Sequence, residues 1–103
     1  MSELVSILIP CYNAEEWLNQ TLKSAFSQTW PNKEIIIVDD GSTDKSLQIA
    51  KEYESGILKL ISQENRGAAA ARNTALLHAQ GNYIQWLDAD DLLAPDKIEC
   101  QML

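Results

Sequence analysis

A chain of 103 residues is long enough for one small domain and too short for two. Its apolar fraction of 46% fits a globular core and excludes a disordered segment. The net charge of −7 argues against nucleic acid as a partner, because phosphate backbones want a basic face.

Leu4 to Pro10 reads as a buried strand, since Val5, Ile7, Leu8 and Ile9 leave little polar alternation. Asn13 is expected to cap a helix over about Ala14 to Gln28, with Glu16 completing a capping box and Leu18, Leu22, Ala25 and Phe26 on its apolar stripe. Glu34 to Asp40 is the second strand, and it runs straight into Asp39-Asp40-Gly41-Ser42-Thr43-Asp44. A helix follows to about Ser55 and stops at Gly56. Ile57 to Ile61 is a short third strand, and Gln63 to Gly67 is a loop. The alanine-rich run from Ala68 to Ala79 predicts a third helix whose small side chains let it lie close to a sheet. Gly81-Asn82 ends it, and the fourth strand begins at Tyr83. Pro95 is expected early in the first turn of a last helix, still running at Leu103, so the chain is expected to be a truncated piece of a longer domain.

Strand and helix alternate throughout. That order predicts an α/β fold, a three-layer αβα sandwich with a mainly parallel, Rossmann-like sheet. In such sheets ligands gather at the carboxyl ends of the strands. Pro10-Cys11-Tyr12-Asn13, Asp39-Asp40-Gly41-Ser42 and Asp88-Ala89-Asp90-Asp91 all fall at that end. In an extended chain Asp88 and Asp90 point the same way while Asp91 faces away. Two converging carboxylates with no His or Cys beside them suit a hard divalent cation, Mg or Mn. A bare acidic turn after a strand is the plainer reading of Asp-x-Asp alone. The acidic balance accommodates a small phosphorylated ligand, because a divalent cation can bridge carboxylate to phosphate.

These segments resemble the inverting family-two glycosyltransferases, which have the GT-A fold. The opening Val5-Ser6-Ile7-Leu8-Ile9-Pro10-Cys11-Tyr12-Asn13 looks like their first strand. Val38-Asp39-Asp40-Gly41-Ser42-Thr43-Asp44 is similar to their second strand and acidic turn. Asn65-Arg66-Gly67 with Ala71-Arg72-Asn73 resembles their third-helix signature, and Leu87-Asp88-Ala89-Asp90-Asp91 their Asp-x-Asp motif. The resemblance runs from Val5 to about Gln101. It implies a nucleotide-sugar donor, often a uridine diphosphate sugar, and a divalent metal, with residues 1–103 forming the donor-binding part.

Carried over by position, Pro10 and Tyr12 frame the base, and Asp40 with Asp39 near it bonds the uracil edge. Asn13 belongs to the same nucleotide-binding set. Asp88 lies against the ribose and the metal shell, Asp90 binds Mn or Mg directly, and Arg72 holds the nucleotide or its phosphates. The family's general base comes from a later acceptor-binding segment, so no catalytic base is named and the isolated chain is not expected to turn over. The resemblance leaves the acceptor open among saccharide, lipid and protein, and an incomplete sheet is expected to favour self-association through its exposed apolar surface.

The competing readings lack their signatures. No glycine-rich turn follows the first strand, as a dinucleotide-binding dehydrogenase needs, and no Gly-Lys-Ser/Thr follows any strand. A sugar nucleotidyltransferase would want a glycine- and arginine-rich first loop; a non-catalytic nucleotide-binding or oligomerisation module remains open. Several residues also have plainer roles: Asp39 as a turn residue, Cys11 as a small wall residue near the site, His78 on the surface, Arg66 as a solvated loop charge, and Trp17, Trp30 and Trp86 in packing. Cys11 and Cys100 are read as reduced thiols of a cytosolic protein. The acidic opening Met1-Ser2-Glu3 makes no signal peptide and no stretch approaches a membrane span, so the expected location is the cytoplasm, at the inner membrane face in a longer protein.

Overall fold

The computed structural model describes residues 3–103; Met1 and Ser2, part of the acidic opening, lie outside the described residues. Among the described residues four strands, β1 (Val5–Cys11), β2 (Lys33–Asp40), β3 (Leu58–Gln63) and β4 (Tyr83–Trp86), alternate with four helices, α1 (Leu18–Phe26), α2 (Ser46–Glu52), α3 (Ala68–His78) and α4 (Lys97–Met102). The strands form one parallel sheet in the order β3-β2-β1-β4. The alternating order of the sequence therefore yields the expected three layers, and the helices divide unequally between the faces.

One face of the sheet presents Val5, Ile7, Ile9, Ile35 and Ile37 to Leu18, Leu22 and Ala25 of α1, Ala50 of α2 and Ile98 of α4. The other presents Leu8, Ile36 and Val38 to Ala71 and Ala75 of α3. Every residue named for these two clusters is at most 2% exposed. Burying each isoleucine or leucine contributes about 1.5–3 kcal/mol, so the central strands carry most of the apolar stabilisation. The alanines of α3 do what their size allows: the helix sits close on β1 and β2. β4 is an edge strand, and Tyr83, Ile84 and Trp86 remain half exposed on it.

Several boundaries differ from the sequence expectation. α1 starts at Leu18, not Ala14, and ends at Phe26, not Gln28; residue 17 makes no side-chain cap bond. Asn13 is not its cap, and Glu16 makes no capping box. Asn13 has a left-handed φ of 47° and turns away, accepting from Thr43 N at its Oδ1 (2.8 Å). The amides leading into α1 are served from elsewhere: Ala14 N donates to Ser46 Oγ (2.9 Å) and Glu15 N to Asp44 Oδ2 (3.2 Å). A capping box is a local pattern, and here the β2–α2 segment supplies the acceptors instead. α2 stops at Glu52, three residues short of Ser55. β4 ends at Trp86, so the acidic residues lie in the turn beyond it, and α4 begins two residues after Pro95.

Among the described residues no helix is long and apolar enough to cross a membrane. Both cysteines are free, Cys11 buried and Cys100 exposed. Trp30 packs on the core and donates Nε1–H to Glu3 O, whereas Trp17 and Trp86 are 47% and 41% exposed and are not core residues.

Candidate functional site

A pocket of about 360 Å³ opens at the carboxyl ends of β1, β2 and β4. β1 brings Pro10, Cys11 and Tyr12; β2 brings Asp40; the segment after β4 brings Asp88; the start of α3 adds Arg72. Asn65, Gly67, Ala68 and Ala71 complete the wall. Pro10, Tyr12, Asp40, Arg72 and Asp88 thus come together from four separate segments. Asn13, Asp39 and Asp90 do not line this pocket.

Asp40 is the most heavily bonded of these side chains. Its Oδ1 accepts from Gln63 Nε2 and from Arg66 N, both at 2.9 Å, and its Oδ2 accepts from Gly67 N at 3.0 Å. Asn65 Nδ2 donates to the Asp40 carbonyl (3.1 Å). One residue at the end of β2 therefore clamps the whole β3–α3 loop. Burial alone would push the Asp40 carboxyl up, but the bonds from Gln63, Arg66 and Gly67 outweigh it and hold it below the usual carboxylate range.

A depressed folded-state pKa gives stability that is present above the unfolded value of about 3.9 and is lost as pH falls through the lower folded value. The Arg66 and Gly67 amides should accordingly lose protection in that acid range. Hydrogen exchange followed by NMR at about pH 6 and about pH 2 checks this, and equal protection at both would contradict the clamp.

Asp39 points to the opposite face of the sheet. It is 2% exposed, and its Oδ2 accepts from Ser42 N at 3.2 Å. That is the turn-building role, on the far side of the strand from the pocket. Cys11 stands beside it in register. Burial first, and then the charge of Asp39, push the Cys11 thiol up to about 12, so it is a neutral wall and not a nucleophile. Asn13 ties the β1 and β2 ends together through Ser42 Oγ and Thr43.

After β4 the alternation of an extended chain persists for a few residues. Leu87 and Ala89 are buried at 3% and 7%, while Asp88 and Asp90 are exposed. Asp91 N donates to Asp88 O (3.0 Å), closing a turn, and Asp91 Oδ1 accepts from Leu92 N (2.8 Å). Among the described residues neither the Asp88 nor the Asp90 carboxylate has a hydrogen-bond or ion-pair partner, and no cluster of three or more His, Cys, Asp or Glu could hold a metal by itself. Two unengaged carboxylates, Asp88 on the pocket wall and Asp90 two residues further along the turn, fit Mg or Mn, which commonly take one or two protein carboxylates and complete their shell with water and phosphate oxygens.

The glycosyl transferase family 2 profile matches residues 6–102 of the sequence. The chain belongs to that family. An uncharacterised glycosyltransferase of Haemophilus influenzae is 46% identical over 102 residues, covering 96% of this chain and 41% of its own length. Residues 1–349 of S. aureus TarS, solved in complex with UDP, superpose with a TM-score of 0.88 at 32% identity, over 94% of this chain and 30% of that one. The mannosyltransferase PcManGT of Pyrobaculum calidifontis, solved with GDP-Man and Mn2+, superposes with a TM-score of 0.80 at 31% identity, over 95% of this chain and 30% of that one. The fold is thus the GT-A type implied by the resemblance, and the chain spans about two fifths of the length of the Haemophilus relative.

For a family 2 chain, the reading from sequence gave no separate role to Gln63, Asn65, Gly67, Ala68 or Ala71. Gln63 ends β3 and grips Asp40; the small residues of α3 open the space that the pocket occupies. The available signal was position. These residues follow a strand at the same end of the sheet as the acidic turns. Arg66, read as a solvated charge, contributes through its backbone N–H, which residue type does not announce.

Proposed function

We propose that this chain forms the donor-binding part of an inverting glycosyltransferase that takes a sugar from a UDP-sugar with the help of a divalent cation. The carrying observation is the convergence of Tyr12, Asp40, Arg72 and Asp88 on one pocket at the carboxyl ends of the strands. Tyr12, 51% exposed at the rim, offers a ring face to the base, with Pro10 beside it. Asp40 accepts a ring N–H. A carboxylate has about four acceptor positions, and Gln63, Arg66 and Gly67 use three. The remaining one suits the single N–H of uracil, whereas guanine presents two adjacent donors. The complex of TarS with UDP is in keeping with that choice.

Arg72 supplies a fixed positive charge for the phosphates. Asp88 and Asp90 are the residues that would hold Mg or Mn, in keeping with the Mn2+ of PcManGT. Such an ion, when bound, acts as a Lewis acid toward the charge that grows on the departing diphosphate. Asn13 and Asp39 serve behind the pocket by fixing the turns that carry Tyr12 and Asp40. Inversion needs a base to take the acceptor hydroxyl's proton, and we assign that base to the part of the relatives that this chain does not span. Sugar transfer by the 103 residues alone would overturn that assignment.

Calorimetric titration with UDP, CDP, GDP and ADP, each with and without Mn2+, tests the reading. UDP with Mn2+ is expected to bind tightest, and Asp90→Ala to remove the gain from Mn2+ while leaving metal-free binding in place. Equal affinity for all four nucleotides, or no effect of Mn2+ on the unmodified chain, would refute it.

A further inference from the structure

The turn that carries Asp88 and Asp90 is fastened from beneath by α1. Thr21 is fully buried, and its hydroxyl lies 2.8 Å from the Ala89 carbonyl and 2.7 Å from the Asp91 carbonyl. Ser24, one turn on, accepts from Leu93 N at 3.1 Å and donates to Thr21 O at 2.7 Å. Gln28 continues the row, donating to Ala94 O (2.7 Å) and accepting from Ile98 N (3.2 Å). Core packing does not require a hydroxyl at position 21, because valine fills nearly the same space without a polar atom to satisfy. A hydroxyl carries one proton, and here the two carbonyls that flank Asp90 lie closer to it than the Trp17 carbonyl of its own helix, at 3.2 Å.

We propose that Thr21, backed by Ser24, is a positioning residue for the cation-binding carboxylates. This rests on the proposed role of Asp88 and Asp90. The Ala89 carbonyl belongs to the peptide that enters Asp90, and the Asp91 carbonyl lies just after it. Drawing both toward α1 fixes the roll of the turn and leaves the Asp88 and Asp90 side chains on the outer side. The apolar side chains of Leu87 and Ala89 anchor the turn in depth but do not set its rotation; the Thr21 hydroxyl, whose one proton is shared between the carbonyls on either side of Asp90, does. Contacts one layer behind a metal ligand commonly govern how well it binds.

The test is UDP titration of Thr21→Val and Thr21→Ser, with and without Mn2+. The Val variant should bind UDP about tenfold more weakly in the presence of Mn2+ and with unchanged affinity in its absence, and the Ser variant should restore the Mn2+-supported value. If the Val variant does not fold, Ser24→Ala is expected to show the same split at about threefold. With Mn2+ dependence intact in the unmodified chain, equal Mn2+-supported affinity in the variants overturns the inference alone. So does a parallel loss with and without Mn2+, which marks a merely structural role. No Mn2+ dependence in the unmodified chain overturns the donor-site reading and this inference together.

Discussion

Gly41→Ala is expected to unfold the site and to cost more stability than any other exchange at the pocket. Gly41 has a left-handed φ of +71°, which a side chain rarely adopts. A Cβ there would stand 2.6 Å from Asn65 N and 3.1 Å from Asn65 Cα. Both are backbone atoms, and the loop that holds them is tied to Asp40 on either side of the contact, by Gln63 before it and by Arg66 and Gly67 after it. The loop must retreat, and the clamp on Asp40 goes with it. Strain and lost bonds together should destabilise by roughly 2–4 kcal/mol. In a domain of this size that lowers Tm by roughly 10–25 °C.

Gly81→Ala is the control for Gly41→Ala. Its Cβ would meet Ser6 Oγ at 2.5 Å and Leu4 O at 2.8 Å, at the opposite end of the sheet. It should also lower Tm, yet UDP affinity measured well below the transition should survive in Gly81→Ala and vanish in Gly41→Ala. Thermal melts paired with calorimetry decide, and an unchanged Tm and affinity for Gly41→Ala would count against the clamp.

Asp40→Asn is expected to change which base the pocket prefers. The amide keeps the shape of the side chain but turns one acceptor into a donor. If its nitrogen faces Gly67 N, two donors oppose each other in a site that is 3% exposed, which costs about 1–3 kcal/mol. If it faces Gln63 and Arg66 instead, two bonds are lost. The first orientation loses one bond and the second two, and under the proposed reading the group that the first leaves for the base now donates. Uracil presents N–H at that edge and cytosine a bare nitrogen acceptor. UDP affinity should fall at least about tenfold, a difference of about 1.4 kcal/mol, and the preference for UDP over CDP should shrink or reverse. Competition between the two nucleotides measures this directly. An undiminished preference for UDP would mean that Asp40 serves the loop alone.

The layers of the fold were readable because they rest on patterns of apolar spacing. Ile35 to Val38 is a run that only a covered strand explains, and the alanines of α3 matched a helix lying close to it. The pocket was readable in outline because the carboxyl ends of parallel strands share one rim. Its finer wiring was not. Asn13 and Glu16 satisfy a local capping rule, yet Ser46 and Asp44, some thirty positions later, serve those amides. Nothing in the neighbourhood of Asn13 reports that competition. Asp39 and Asp40 look alike in sequence, but period-two alternation sends them to opposite faces of the sheet, one to a turn and the other to the pocket. Nothing near Thr21 in the sequence marks it out, since its two carbonyl partners beyond the helix lie far along the chain.

The strand order carries a kinetic consequence. β1 is synthesised before the other three strands, but it is flanked by β2 on one side and, across the register Val5↔Tyr83, by β4 on the other. Its second neighbour is translated only after β2, α2, β3 and α3. Contacts so distant along the chain demand closure of a large loop before they repay it, which slows the search for the native arrangement. On the ribosome, the most apolar strand therefore waits with one flank bare until the acidic turn, too, has emerged.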